Sequence, residues 1–385
     1  MTRTVVLVGA SGYGRTYLRE IATLEAAGAV RLAGVCDVCP LDPEGRALAG
    51  DRPFDTDLGS LLDRTRPDIG IVATPIHTHL PLARQVLAVG AHLLLEKPPL
   101  PTADDWRALV RLARESGRVC QTGFQSLGSH AVARLAQLMA EGRFGRIRGI
   151  GGHGAWSRTN GYYRRAPWAG RREIDGTPVV DGALTNPFAH MIATALRLDG
   201  STGWDDVDAI ELELLRARDI QADDTSCLRL RTARGTVVTA AVTLCAATTS
   251  DPVLVVQGSY GHATLSYTRD VLSVGNRREH HGRTSPLANL LAHLDDPGVA
   301  LQSDLDSCGA FTRVLDAVRT APDPRPIPAA WLRHVGDGDA GTVCVPGVEA
   351  AVKDAAERLS TFGALGIPWA CAPASPQQDP IGGTR

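Results

Sequence analysis

Lys97 and Lys353 are the two lysines among 40 basic side chains; every other one is arginine. A chain that uses arginine wherever positive charge suffices has kept lysine at these positions either by chance or because a proton must move there. An amine can lower its pKa and exchange a proton, and a guanidinium effectively cannot. Lys353 falls in a surface-helix pattern, where chance survival explains it. Lys97 sits in Glu96-Lys97-Pro98, directly after the apolar run Leu93–Leu95. That places an amine and a carboxylate at the carboxyl end of a strand.

A second group of residues points to a nucleotide. Gly9-Ala10-Ser11-Gly12-Tyr13-Gly14 follows the run Val5–Val8 and opens a helical pattern. Glycines there allow a tight turn and close backbone approach to a pyrophosphate at a helix N-terminus. Ser11 occupies the place of the middle glycine in G-x-G-x-x-G, with Gly12 beside it. Taken alone, the loop is a weak signal, since a glycine turn also occurs in α/β domains that bind no nucleotide. Asp37 ends the next strand-like run, where it can bond a ribose 2′-hydroxyl and would repel a 2′-phosphate. No arginine follows it, so NAD is expected over NADP. Thr74-Pro75-Ile76-His77-Thr78-His79 ends a third run. Ligands of open parallel sheets bind beyond the carboxyl ends of the strands. The glycine loop, Pro75–His79 and Lys97 should therefore share one cleft. Cys36 and Cys39 have no second pair and no histidines at zinc spacing, so no metal is expected.

Positioning these residues requires a parallel βαβ framework. Val5–Val8, Leu32–Cys36, Ile69–Ala73, Leu93–Leu95 and Val119–Gln121 read as strands. Tyr13–Ala27, Leu80–Val89 and Asp104–Ser116 read as helices. Cys39–Phe54 reads as irregular. Beyond Phe124 a helix (Ala131–Met139) and a strand (Ile147–Trp156) precede a polar, aromatic loop over 157–181. In that loop Tyr162, Tyr163, Arg164 and Trp168, with Arg158 and Arg165, suit a polyhydroxylated or acidic ligand, or an oligomer contact. A helix is expected over Pro187–Leu198, with Asn186 as N-cap and Pro187 at its first position. His190 then lies in the first turn, where the positive helix end disfavours imidazolium. Strand-like runs over 207–274 suggest an antiparallel meander. Val253-Leu254-Val255-Val256 would leave it a second apolar face. Helices return at Leu305–Val318 and Val348–Leu359.

The chain's 385 residues suggest two or three domains. Its net charge of −2, without a basic block, argues against nucleic acid. No apolar run approaches the ~18 residues of a membrane span. The start reads as a first strand and not as a signal peptide, so a cytoplasmic protein with reduced cysteines is expected.

The glycine loop, Thr74-Pro75, Glu96-Lys97-Pro98 and Gly123-Phe124-Gln125 together resemble the glucose–fructose oxidoreductase/inositol dehydrogenase family (Gfo/Idh/MocA). The resemblance runs to about Ala370. It implies an α/β protein with a Rossmann domain, placed at 1–124. A C-terminal α/β domain with a large, mostly antiparallel open sheet follows at 125–370, and a disordered tail at 371–385. It implies NAD or NADP held by Gly9, Ser11, Gly12, Tyr13, Gly14, Asp37, Thr74, Pro75, His79, Glu96, Lys97 and Gln125. It also implies oxidation or reduction at a secondary hydroxyl of a sugar, cyclitol or similar polyol, and a homodimer or homotetramer formed through the sheet.

Asp181-Gly182-Ala183-Leu184-Thr185-Asn186-Pro187-Phe188-Ala189-His190 is similar to the family's Gly-Gly-x-Leu-x-Asp-x-Gly-x-His. His190 thus corresponds to the catalytic histidine, and Asn186 replaces an aspartate. Either Asp181 supplies the missing carboxylate, or Lys97 and His190 suffice while Asn186 caps the helix and holds a substrate hydroxyl. Two other activities fit the same residues. One is an enzyme that retains its NAD and uses transient oxidation to cleave a glycosidic bond. The other is a silent, NAD-responsive regulator.

Overall fold

In the computed structural model, which describes residues 2–371, strands and helices alternate from the start. They are β1 (Arg3–Val8), α1 (Gly14–Ala26), β2 (Val30–Cys36), α2 (Pro43–Ala49), β3 (Phe54–Asp55) and α3 (Leu58–Thr65). Then come β4 (Ile69–Val72), α4 (His79–Ala88), β5 (His92–Leu95), α5 (Ala103–Ser116) and β6 (Cys120–Thr122). The six strands form a parallel sheet in the order β3-β2-β1-β4-β5-β6. The order reverses between β1 and β4, the crevice where such sheets bind ligands. Helices cover both faces, so the strands are buried almost throughout and read as unbroken apolar runs. The segment 39–54, expected to be irregular, contains α2. Asp42 accepts from Gly45 N as its N-cap and Pro43 starts the helix, a local signal that the Pro, Gly and Asp content obscures.

The chain continues through α6 (His130–Ala140), β7 (Ile147–Ser157), α7 (Asn160–Arg164), the small hairpin β8 (Glu173–Ile174) and β9 (Thr177–Pro178), and α8 (Ala189–Asp199). Seven strands follow: β10 (Val207–Arg216), β11 (Thr225–Thr232), β12 (Val237–Thr243), β13 (Cys245–Gly258), β14 (His262–Ser266), β15 (Val271–Val274) and β16 (Arg277–His280). The last elements are α9 (Pro286–Asp295), α10 (Gly309–Thr320), β17 (Arg325–Pro326), β18 (Arg333–Val335), β19 (Thr342–Cys344) and α11 (Val348–Glu357). A nine-stranded sheet has the order β16-β15-β14-β13-β7-β12-β11-β10-β17. The expected meander is therefore split. β7 lies between β12, to which it is parallel, and β13, to which it is antiparallel. The whole is an α/β fold with a Rossmann sheet and a larger, mostly antiparallel sheet.

Glycines explain why β7 sits at the centre. A Cβ on Gly154 would meet the Phe188 ring at 2.2 Å, and one on Gly151 would meet Ala356 O at 1.9 Å. The strand is thus pressed between the α8 side and α11. By covering this second face, α11 removes the reason for expecting an exposed apolar surface at 253–256. Leu254 and Val256 are fully buried and Val255 is 9% exposed. α9, which the sequence pattern does not single out, returns to the first sheet and packs Leu287, Leu290 and Leu291 into its core. Of the tail expected at 371–385, all but Cys371 lies outside the described residues. Among the described residues, no helix is long and apolar enough to cross a membrane.

Candidate active site

The glycine loop turns from β1 into α1 at the reversal of strand order. Gly9 has φ +82°, and a Cβ there would strike Ala73 O at 2.6 Å. A Cβ on Gly14 would sit 1.8 Å from Gly9 O, so the helix can start this close to the strand only with glycine. Ser11, Gly12 and Tyr13 form the exposed rim of the loop. Asp37 Oδ2 accepts from Ala10 N at 2.8 Å, and Oδ1 accepts from Cys39 N at 3.0 Å. The Asp37 carboxylate is thereby tied to the glycine loop. This backbone cradle and its carboxylate fit a dinucleotide. Thr74 Oγ1 and Thr78 Oγ1 are 2.6 Å apart, which fixes the turn after β4 around Pro75.

Lys97 follows β5. Its Nζ donates to Asn186 Oδ1 at 2.8 Å and to Asn186 O at 3.2 Å. The Asn186 amide in turn donates to Asp181 Oδ1, and Asp181 Oδ2 accepts from Gly170 N at 2.7 Å. Burial lowers the pKa of Lys97, while the charges of Glu96 and Asp181 raise it and that of Arg165 lowers it further. Glu96 is buried beneath the amine. It accepts from Tyr17 Oη at 2.7 Å and from the Lys97 backbone at 3.1 Å. Burial pushes its carboxyl up to about 7, against the Lys97 charge and the Tyr17 hydrogen bond. A Cβ on Gly123 would meet Glu96 Oε1 at 2.2 Å, so the residue that follows β6 must be glycine.

His190 is the second residue of α8. Its Nδ1 lies 3.4 Å from Ser126 Oγ, which accepts from Thr194 Oγ1, and its ring packs edge-on to Phe124. Burial, with the Lys97 and Arg283 charges, holds its pKa well below the usual value, so the ring is neutral at neutral pH. Asn186 does not cap α8. Phe188 takes that position without a side-chain cap, because Asn186 is turned toward Lys97 and Asp181.

Other expected residues fall outside this network. Both ring nitrogens of the buried His79 face backbone carbonyls, Pro99 O at 2.9 Å and Thr74 O at 2.8 Å. The histidine ties two loops together and has no nitrogen left for a cofactor. Glu96 likewise spends its oxygens inside the protein and supports Lys97 from below. Arg164 turns outward to pair with Asp339. Tyr163 stacks on Arg218 and lines a separate cavity of about 1230 Å³. Tyr162 and Trp168 instead flank Arg165, which reaches Asp181. Gln125 stands just after β6, with its buried Oε1 lacking a partner. Tyr17, Ser126 and Thr194 were not foreseen. Each reads in sequence as an ordinary core or helix residue.

Residues 3–124 match the model of an oxidoreductase family with an NAD-binding Rossmann fold, and residues 132–264 match the GFO/IDH/MocA C-terminal domain. A D-xylose dehydrogenase of Paenarthrobacter nicotinovorans is 26% identical over 211 residues, 49% of this chain and 53% of that protein. A 1-carboxy-3-chloro-3,4-dihydroxycyclohexa-1,5-diene dehydrogenase of Comamonas testosteroni is 27% identical over 188 residues, 48% of this chain and 45% of that protein. The chain thus spans about half the length of these curated relatives. The WlbA dehydrogenase of Bordetella pertussis, solved with NADH and UDP-GlcNAcA, shares the fold. Its TM-score is 0.68 at 24% identity, covering 83% of this chain and 95% of that one.

Proposed function

Because this chain belongs to the Gfo/Idh/MocA oxidoreductase family, with its NAD-binding Rossmann domain, we propose that it oxidises a secondary hydroxyl, or reduces the ketone, of a sugar, cyclitol or related polyol. One observation carries this reading. Lys97, just past the carboxyl end of β5, bonds Asn186, and His190 four residues on bonds Ser126 beyond the carboxyl end of β6, in the sheet that carries the glycine-loop cradle. The relatives that bear dehydrogenase names for hydroxylated rings and sugars support the substrate class.

NAD, when bound, supplies the hydride acceptor. Gly9, Ser11, Gly12, Tyr13 and Gly14 hold its pyrophosphate, Asp37 its ribose, and Thr74, Pro75 and Gln125 border it. Lys97 holds the reacting oxygen and offsets the charge that develops there. His190 accepts the hydroxyl proton at a ring nitrogen, which its neutrality permits. Asn186 fixes the amine and Asp181 fixes Asn186. The Rossmann unit ends at 124, and 125–370 forms the substrate unit.

The test is NADH formation by the purified protein across a panel of polyols. Net NADH release supports a dehydrogenase. Product formation without net NADH would move the reading to retained-cofactor chemistry. NAD binding without turnover of any polyol would favour the regulatory reading.

A further inference from the structure

We propose that Arg158 and Arg165 form an anion subsite beside Lys97, so that the substrate carries a carboxylate, as a uronic acid does. The inference rests on the dehydrogenase reading above and names its substrate class.

Five side chains alternate ring and guanidinium. Arg158 Cζ lies 4.7 Å from the Trp156 ring and 4.8 Å from that of Tyr162. Arg165 Cζ lies 3.7 Å from Tyr162 and 4.5 Å from Trp168. At one end the Trp156 ring packs 4.5 Å from the core ring of Phe188, which precedes α8. At the other the ladder meets the Lys97 network, because Arg165 Nη2 is 3.4 Å from Asp181 Oδ2 and its charge acts on Lys97.

Both guanidiniums lie against the Tyr162 ring, and Arg158 also hydrogen-bonds the Tyr162 side chain; the N–H groups that remain match a planar carboxylate. The two cations are not equally satisfied. Arg165 shares Asp181 and donates to Tyr162 O. Arg158 has no carboxylate partner among the described residues, and its buried Nε has no acceptor. One guanidinium without a counter-charge suits a monoanion better than a phosphate dianion. A neutral sugar would leave the Arg158 charge uncompensated, one ring away from Arg165, whose charge acts on Lys97.

The experiment compares paired ligands on the NADH-loaded full chain: glucuronate with glucose, galacturonate with galactose, and glucose 6-phosphate. Calorimetry reads binding, and NADH formation from NAD reads turnover. The expected result is that at least one uronate binds about tenfold or more tighter than its neutral parent. Arg158→Gln should then weaken the uronate about tenfold to a hundredfold and leave binding of the neutral sugar unchanged, while Arg165→Gln should weaken the uronate more than its neutral parent. Equal binding of each acid and its parent overturns the subsite, as does an equal loss for both ligands in Arg158→Gln. Tighter binding of glucose 6-phosphate than of any uronate overturns the carboxylate assignment. Melting temperature separates a merely structural ladder, which would fall without a change in ligand preference. Uronate binding without turnover of any polyol or ketone in either direction would retain the subsite and overturn the dehydrogenase reading.

Discussion

Lys97 Nζ donates to Asn186 Oδ1 across 2.8 Å, and the same amide donates to Asp181 from its other end. The carboxylate nearest the amine along this path is thus one side chain away and acts through a neutral amide. Asn186→Asp should put a carboxylate directly on Lys97 and favour its ammonium form. The limb of the pH–rate profile that reports Lys97 should move upward by about one unit. Asp181→Asn should lower kcat about tenfold, since Asn186 loses its charged acceptor. An unchanged profile in the first variant, together with unchanged kcat in the second, would leave the amide merely structural.

Lys97→Arg keeps the charge and loses the proton mobility and compactness of an amine. We expect kcat to fall by about 10²- to 10³-fold while the melting temperature and NADH affinity stay near wild type. Lys353→Arg should be silent, because Lys353 is 60% exposed and only 3.8 Å from Glu357 on the surface of α11. Wild-type turnover in Lys97→Arg would remove Lys97 from the chemistry.

The residues legible in sequence are those fixed by local geometry. Gly9 and Gly14 announce their loop because a turn this tight excludes side chains, and Lys97 stands out against an arginine-rich chain. The order of the large sheet was not legible. Whether β7 inserts between β12 and β13 is decided by long-range pairing, and its glycines serve α8 and α11, which lie far along the chain. Arg164 and Arg165 are neighbours with opposite fates. Which one faces Asp181 depends on the phase of the short α7, set by Asn160 and Thr159 against distant partners. Tyr17 was hidden for another reason. A buried aromatic on the inner face of α1 is what any core requires, and only the position of Glu96 reveals its hydroxyl as a partner.

Asp37 accepts from Ala10 N and Cys39 N at the glycine loop, where we propose that it bonds the ribose. We expect wild type to bind NADH more tightly than NADPH. Asp37→Ala should narrow the gap from both sides, weakening NADH and relieving the repulsion of a 2′-phosphate. Calorimetry with both dinucleotides checks this. Tighter NADPH binding by wild type would reverse the cofactor assignment.

The buried Glu96 makes stability fall as pH rises through a defined window. Its carboxyl titrates at about 7 in the folded protein, above the ordinary value of 4.5, because burial outweighs Lys97 and Tyr17. Between these values the folded state holds a proton that the unfolded state has released. Stability is then lost with increasing pH, and the loss is complete above about 7. Glu96→Gln removes the titration, so its stability relative to wild type should improve from pH 5 to pH 8 in urea unfolding. Tyr17→Phe deletes a hydrogen bond that lowers this pKa. It should cost about 1–3 kcal/mol and extend the sloping window to higher pH. If the difference between Glu96→Gln and wild type is flat with pH, Glu96 is ionised throughout. Its support of Lys97 would then be that of a fixed charge.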